Sequence, residues 1–274
     1  MRRNLRLTLA YDGTDFAGWQ VQPNAATIQG TLASAVGRLT GENVLPQGSG
    51  RTDAGVHALA QVASFATESP IPAENLLKAL NDILPAAIRV LEVNEVPAEF
   101  HARRSALAKT YRYRIFREPV CSPFLARHVW HFPYPLDEAG MARAAGEVIG
   151  EHDFTSFAAV DPEREDPNPS NHQGRSSASL RASSETRGET QTLASNIRRI
   201  FSSSWERQGN EFIYTVRGSG FLHHMVRNLV GTFILVGKGT LKVEDIARIL
   251  DARNRAAAGA TAPASGLFLV SVEY

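Results

Sequence analysis

The feature that most constrains the fold is a hydropathy pattern that runs through the chain twice. Leu5, Leu7, Leu9 and Tyr11 alternate with Arg6, Thr8 and Ala10, as a half-buried strand requires. From Thr27 to Leu39, the apolar residues Ile28, Leu32, Val36 and Leu39 share one helical face. A short strand is expected near Val44 and a clearer one over Gln61 to Phe65. Pro72 then opens a helix carrying Leu76, Leu77, Leu80 and Ile83, Pro85 stops it, and Ile88 to Val96 forms a strand. The order is strand, helix, two strands, helix, strand. The second half repeats it: a strand over Lys109 to Phe116, a helix over Asp137 to Ile149, strands over Ile197 to Trp205 and Glu211 to Arg217, a helix over Leu222 to Val236, a short helix over Val243 to Leu250, and a last strand over Leu267 to Tyr274. Each half reads as a split βαβ unit, so two ferredoxin-like α/β subdomains are expected, over 1–105 and 106–274. The halves share the pattern and no evident sequence identity.

Composition narrows the class. With 43% hydrophobic and 21% charged residues, the chain has the apolar content of a globular protein. No run of about 18 apolar residues suits a membrane span. The basic N-terminus meets Asp12 before any secretory apolar core can form. A lone cysteine, Cys121, allows neither an intrachain disulfide nor a Cys-based zinc site, and a cytoplasmic protein is expected. A net charge of +1 argues against a bulk nucleic-acid coat but permits a local basic groove. The stretch Asp161 to Ser195 is rich in Pro, Ser, Thr, Asn and Glu and has no Phe, Tyr or Trp. It cannot bury enough apolar area to offset its ordering entropy and reads as a surface insertion.

Three segments carry chemistry. The first, Gly48 to His57 (GSGRTDAGVH), is a turn-rich loop ahead of a strand, with glycines around Arg51 and Asp53. It has neither the phosphate-loop nor the dinucleotide glycine spacing. Either the two charges clamp a tight turn, or the loop presents Asp53 as a nucleophile or base. Either chemical role needs an ionised carboxylate, and an adjacent guanidinium would favour that form; Arg51 is the local candidate and Arg227 the distant one. The second segment, Phe100 to Arg117, interleaves six basic residues with Tyr111, Tyr113 and Phe116 and contains no acid. Such a strand suits RNA phosphates and an unstacked base, unless the aromatic face is core and the basic face merely solvated. The third, Gly218 to Asn228 (GSGFLHHMVRN), puts glycines before a helix bearing His223, His224, Arg227 and Asn228, an anion-site pattern. Metal binding by two adjacent histidines is disfavoured because neighbours on a helix diverge. No role attaches to His57, His101 or His152.

These motifs resemble the tRNA pseudouridine synthase A (TruA-type) family. The loop Gly50 to His57 with Gln61 looks like its catalytic segment. In the same order come Tyr11 to Gln20 (YDGTDFAGWQ), Phe100 to Ala106 (FHARRSA), Lys109 to Tyr113 (KTYRY), His152 to Phe157 (HDFTSF), Phe221 to Asn228 (FLHHMVRN) and Gly266 to Val270 (GLFLV). The resemblance implies two α/β subdomains sharing a mainly antiparallel central sheet, the pseudouridine synthase fold, with a cleft between them. It implies isomerisation of uridine to pseudouridine at positions 38, 39 and 40 of the tRNA anticodon stem-loop, by a homodimer, without metal or cofactor. By resemblance Asp53 is the nucleophilic aspartate, Tyr111 packs on the flipped uracil, Arg51 helps displace the base and Arg227 pairs with Asp53. The insertion at 161–195 departs from the family pattern. Two rival readings are a non-catalytic RNA-binding module and a hydrolase of a small phosphorylated ligand; the latter lacks a phosphate loop or metal cluster in the sequence.

Overall fold

The computed structural model describes residues 2–159 and 195–274. The insertion read at 161–195 lies outside these residues except for Ser195. The first half contains β1 (Arg3–Tyr11), α1 (Ile28–Thr40), β2 (Gln47–Gly48), β3 (His57–Thr67), α2 (Ala73–Ile83) and β4 (Ile88–Val96). The second contains β5 (Ala108–Phe116), β6 (Trp130–His131), α3 (Glu138–Gly146), β7 (Gly150–Asp153), β8 (Ile197–Gln208), β9 (Glu211–Gly218), α4 (Met225–Gly237), α5 (Asp245–Ala252) and β10 (Leu267–Glu273).

Local chemistry sets the ends of these elements. Thr27 caps α1, its hydroxyl accepting from the Gly30 N–H at 3.2 Å, an interaction worth about 1 kcal/mol. Asp137 caps α3 through Gly140 N–H at 2.8 Å. Leu84, the residue before Pro85, is extended, because the proline ring disfavours helical backbone at that position, and α2 stops there. The short strand expected near Val44 forms instead at Gln47–Gly48. Pro46 has no N–H for the ladder, so pairing with Ser64 and Ala63 begins beyond it. The helix expected to reach Ile149 ends at Gly146, and β7 follows, a strand of four residues too short to show an apolar period.

The strands form one sheet in the order β4-β1-β3-β10-β5-β9-β8-β7, with β2 on β3 and β6 on β5. Within each half the order is the same: β4-β1-β3-β2 and β10-β5-β9-β8 place the last strand beside the first, as in ferredoxin-like units. The strand β3 joins them. Its Ser64 and Ala63 pair with β2, whereas His57 and Ala58 pair in parallel with Phe268 and Leu269 of β10. Apart from this contact and β5–β6, the pairings are antiparallel among the described residues.

The alternation read in the sequence becomes a buried and an open side. Leu5, Leu7, Leu9 and Tyr11 of β1 join the core with Leu32 and Val36 of α1 and Leu76 and Leu80 of α2. Tyr111, Tyr113 and Ile115 of β5 lie in register with Val216, Tyr214 and Phe212 of β9, all buried. By the same alternation Arg112 and Arg114 lie on the opposite face, where Arg114 forms a two-pronged pair with Glu211 at 2.6 and 2.7 Å. The basic side of β5 is thus partly committed within the protein. Helix α4 is apolar on nearly every side and is buried accordingly. Among the described residues, no helix is long and apolar enough to cross a membrane.

Candidate active site

The loop between β2 and β3 carries Asp53, and backbone contacts fix its course. Trp19 N–H donates to the Thr52 carbonyl at 3.0 Å, and Val56 N–H to that of Asp53 at 3.1 Å. Gly18 makes the first contact possible. Its φ is +91°, and a Cβ there would sit 2.6 Å from the Thr52 carbonyl oxygen. Gly18→Ala is therefore expected to lose roughly 1–3 kcal/mol of stability in urea denaturation, through strain stored beside Asp53.

A polar chain holds the loop from below. Tyr11 Oη lies 2.8 Å from Thr52 Oγ1. Buried Gln61 donates to the Gly50 carbonyl at 2.9 Å and accepts from Ser49 Oγ at 2.6 Å. Burial pushes the Tyr11 phenol up to about 12, against the pull of its bonds to Thr52 and Gln61. It is a fixed neutral prop at neutral pH. The turn clamp and the presented carboxylate are therefore both present: neutral side chains and backbone set the turn, and Asp53 projects from it.

Asp53 Oδ2 receives Arg227 Nη1 at 2.8 Å. The two side chains are 17% and 14% exposed, so the pair is only lightly screened. Between the two guanidiniums left open by the sequence, the distant Arg227 makes this bond. Arg51 lies exposed on the loop itself. The 259–263 segment fixes Arg227 from behind: Arg227 Nε donates to the Ala262 carbonyl at 2.8 Å, and Ala262 N–H returns a bond to the Arg227 carbonyl at 3.2 Å. That segment approaches because position 231 is glycine; a Cβ there would lie 1.8 Å from the Ala260 carbonyl oxygen. Asn228 locks the next position, donating to the Phe157 carbonyl at 2.7 Å and accepting from Thr261 Oγ1 at 2.7 Å and Arg255 at 3.0 Å.

His223 and His224 were expected to diverge on a helix. They instead precede α4, and His224 has left-handed backbone, φ +58°. The ring centroids are 4.0 Å apart. His223 Nε2 lies 3.6 Å from Asp53 Oδ1 and His224 Nε2 lies 3.4 Å from Oδ2. Burial lowers the His224 pKa, with Asp53 pulling the other way, which favours a neutral ring. These three side chains could supply metal ligands, each offering an atom within 4.8 Å of the others. The Arg227 guanidinium on the same carboxylate oxygen disfavours a second cation there.

Tyr111 is 7% exposed, with its ring edge-on to Phe221 at 4.9 Å. Burial raises its phenol pKa, with Tyr11 and Asp53 adding in the same direction, so the hydroxyl stays protonated. Tyr113 is buried at 0% exposure and donates to the Pro263 carbonyl at 2.8 Å. Both tyrosines belong to the core, Tyr113 the more deeply.

A second cluster went unread in the sequence. Asp12 Oδ2 lies 2.9 Å from His128 Nε2, and Asp12 Oδ1 lies 3.1 Å from His57 Nδ1. Burial would raise the Asp12 pKa, but bonds from Thr14 and His128 outweigh it and hold the carboxyl well below the usual range. His57 stacks on Phe268 at 4.7 Å and reaches the Arg127 carbonyl at 3.1 Å. The cluster ties the 12–16 turn and the 126–128 turn to the start of β3. Only its sequence proximity to the Asp53 loop could have flagged it.

Two ferredoxin-like halves thus share one sheet, with a loop carboxylate from the first half paired to a helix arginine of the second. A family model described as tRNA pseudouridine synthase matches residues 8–103 and 144–274. The chain is 53% identical over 272 residues to a tRNA pseudouridine synthase A of Solibacter usitatus, covering 99% of this chain and 100% of that protein. It is 45% identical to a tRNA pseudouridine synthase A of Moorella thermoacetica, covering 98% and 99%. This chain belongs to the tRNA pseudouridine synthase family, isomerases that convert uridine to pseudouridine in tRNA.

Proposed function

We propose that this protein isomerises uridine at positions 38, 39 and 40 of the tRNA anticodon stem-loop, with Asp53 as the catalytic carboxylate. The observation that carries the role of Asp53 is its 2.8 Å pair with Arg227 across the two halves, 1–105 and 106–274. In the reaction the C1′–N1 bond breaks and a C1′–C5 bond forms. The hydrogen on C5 leaves as a proton and N1 gains one, so no redox partner enters. Attack by Asp53 at C1′ or C6, or removal of a sugar proton, each needs the ionised acid. Arg227 occupies Oδ2 and steadies the charge, leaving Oδ1 on the His223 side to meet the substrate.

The target base must leave its stack, which costs a few kcal/mol. Arg51, exposed on the catalytic loop, takes the place the base vacates, and Tyr111 packs against the flipped uracil. The enzyme works as a cytoplasmic homodimer gripping one tRNA across both subunits, without metal or cofactor; the full-length relationship to the synthases A supports this reading. Tritium release from tRNA labelled at uracil C5 tests the activity directly. Release from those three positions is expected. Tight binding with no release from a broad tRNA pool would favour the binding-module reading. Tyr111→Ala is expected to lower kcat/KM by about 10- to 100-fold, the value of one base–aromatic stack, and Tyr111→Phe by less. Wild-type activity in both variants would make the tyrosine core only.

A further inference from the structure

The Asp53 loop has two legs, and they are held differently. The ascending leg, 49–52, hangs on Trp19, Tyr11 and Gln61, all of the first half. The descending leg, 55–57, rests on the turn 12–16. Gly55 N–H donates to the Phe16 carbonyl at 3.3 Å, and Phe16 N–H to that of Gly13 at 3.0 Å. Gly13 N–H donates to His57 Nδ1 at 3.2 Å. The turn lies so close that a Cβ on Gly13 would sit 2.0 Å from the Val56 carbonyl oxygen. Where this turn stands therefore sets the position of Gly55, and with it that of Asp53 just before it.

The second half fixes the turn. Asp12 Oδ1 is filled from within, by Thr14 N–H at 3.0 Å and Thr14 Oγ1 at 2.5 Å. Asp12 Oδ2 turns outward to His128 Nε2 at 2.9 Å. The chain after His128 runs into β6, which pairs with β5. Beside it the Arg127 guanidinium pairs with Asp15, and the Arg127 carbonyl accepts from His57 Nε2 at 3.1 Å. These contacts differ in strength. The Arg127–Asp15 pair is exposed and contributes little. Burial lowers the His57 pKa and favours a neutral ring, so its two bonds carry no charge. The Asp12 carboxyl is ionised, because its bonds outweigh the effect of its burial. It can only accept, so His128 Nε2 carries the hydrogen, and the bond is charge-assisted, about twice as strong as a neutral one.

We propose that His128 is a positioning residue for the isomerisation: by donating to Asp12 it sets the 12–16 turn and, through Gly55, the angle at which Asp53 meets Arg227. The inference rests on the reading of Asp53 as the catalytic carboxylate. The second half then grips the loop twice, at the carboxylate through Arg227 and under the descending leg through His128. A single bond to Oδ2 leaves the carboxylate free to pivot about it. The second grip removes that freedom, so Oδ1 meets the substrate from one direction.

His128→Gln and His128→Glu in the full chain test the role. The two side chains have the same shape, and position 128 is about a third exposed, so both variants should fold. The amide can donate to Asp12, whereas an ionised carboxylate repels it. Single-turnover tritium release is read on saturating enzyme at about pH 8. There His128→Gln is expected to stay within roughly 3-fold of wild type and His128→Glu to fall about 10- to 100-fold, with KM little changed. The charged and titratable groups around position 128 are Asp12 and Asp15 of the turn, Arg127 beside it and His57 of β3. Against Asp12 the introduced carboxyl takes up a proton more readily than a free one, and once protonated it is a donor. The rate of His128→Glu relative to wild type should therefore recover as pH falls from about 8 to about 6. A merely structural histidine would lower thermal stability and leave that ratio flat. Equal rates in the two variants across this range, or a loss confined to KM, overturn the proposal. If His128→Glu does not fold, His128→Leu, uncharged and without a donor, takes its place and has to show the same fall against His128→Gln. Wild-type turnover with equal variants removes the role of His128 alone. Turnover that survives Asp53→Asn removes the catalytic carboxylate and this role with it.

Discussion

Asp53→Asn is expected to bind tRNA as the wild type does and to release tritium from uracil C5 at least ~10⁴-fold more slowly, the scale of loss when a catalytic nucleophile is removed from an enzyme. The substitution keeps the shape of the side chain and removes its charge. The loop should keep its course, because Trp19, Gln61 and Tyr11 hold it through Thr52 and Gly50 rather than through the Asp53 carboxylate. A structural role would predict the reverse: lower thermal stability and near-normal turnover. Appreciable turnover in a folded Asp53→Asn protein would remove Asp53 from the chemistry.

Arg227→Lys has the next largest expected effect, a fall of about 10²–10³ in kcat with little change in KM. Arg227 bonds in two directions, from Nη1 to Asp53 Oδ2 and from Nε to the Ala262 carbonyl. A lysine ammonium is a single point charge and cannot hold both while keeping the planar approach to the carboxylate. The lysine variant therefore separates charge from geometry. Full activity would show that any cation near Asp53 suffices; a deep loss with normal tRNA affinity would show that the carboxylate has to be oriented. Stopped single-turnover assays on saturating enzyme read kcat apart from binding.

Much of the architecture was legible because it rests on period. The alternation of Leu5, Leu7, Leu9 and Tyr11, and of Tyr111, Tyr113 and Ile115, places each strand and its buried side. Proline and capping residues mark helix ends for local steric reasons that a single sequence displays. The Asp53 loop stood out because its glycines bracket opposite charges. What was hidden depends on backbone that no side-chain pattern announces. The left-handed turn at His224 brings two rings together that a helix would have kept apart. The choice of Arg227 over Arg51 as the partner of Asp53 depends on a contact across 174 residues, which residue types alone leave open and the family resemblance supplied. The Asp12–His57–His128 cluster joins segments that have no common spacing.

The place of β10 sets the order in which the sheet can close. Among the described residues it follows the other nine strands in the chain yet lies between β3 and β5, at the middle of the sheet. During synthesis the first ferredoxin-like half emerges whole, whereas the second waits for β10, the strand that completes it and pairs with β3 of the first. Until then Asp53 and Arg227 stand on halves that this parallel pairing has not yet joined. The Asp53–Arg227 pair is thus expected to form in one late step, when Leu267 to Glu273 takes its place in the sheet.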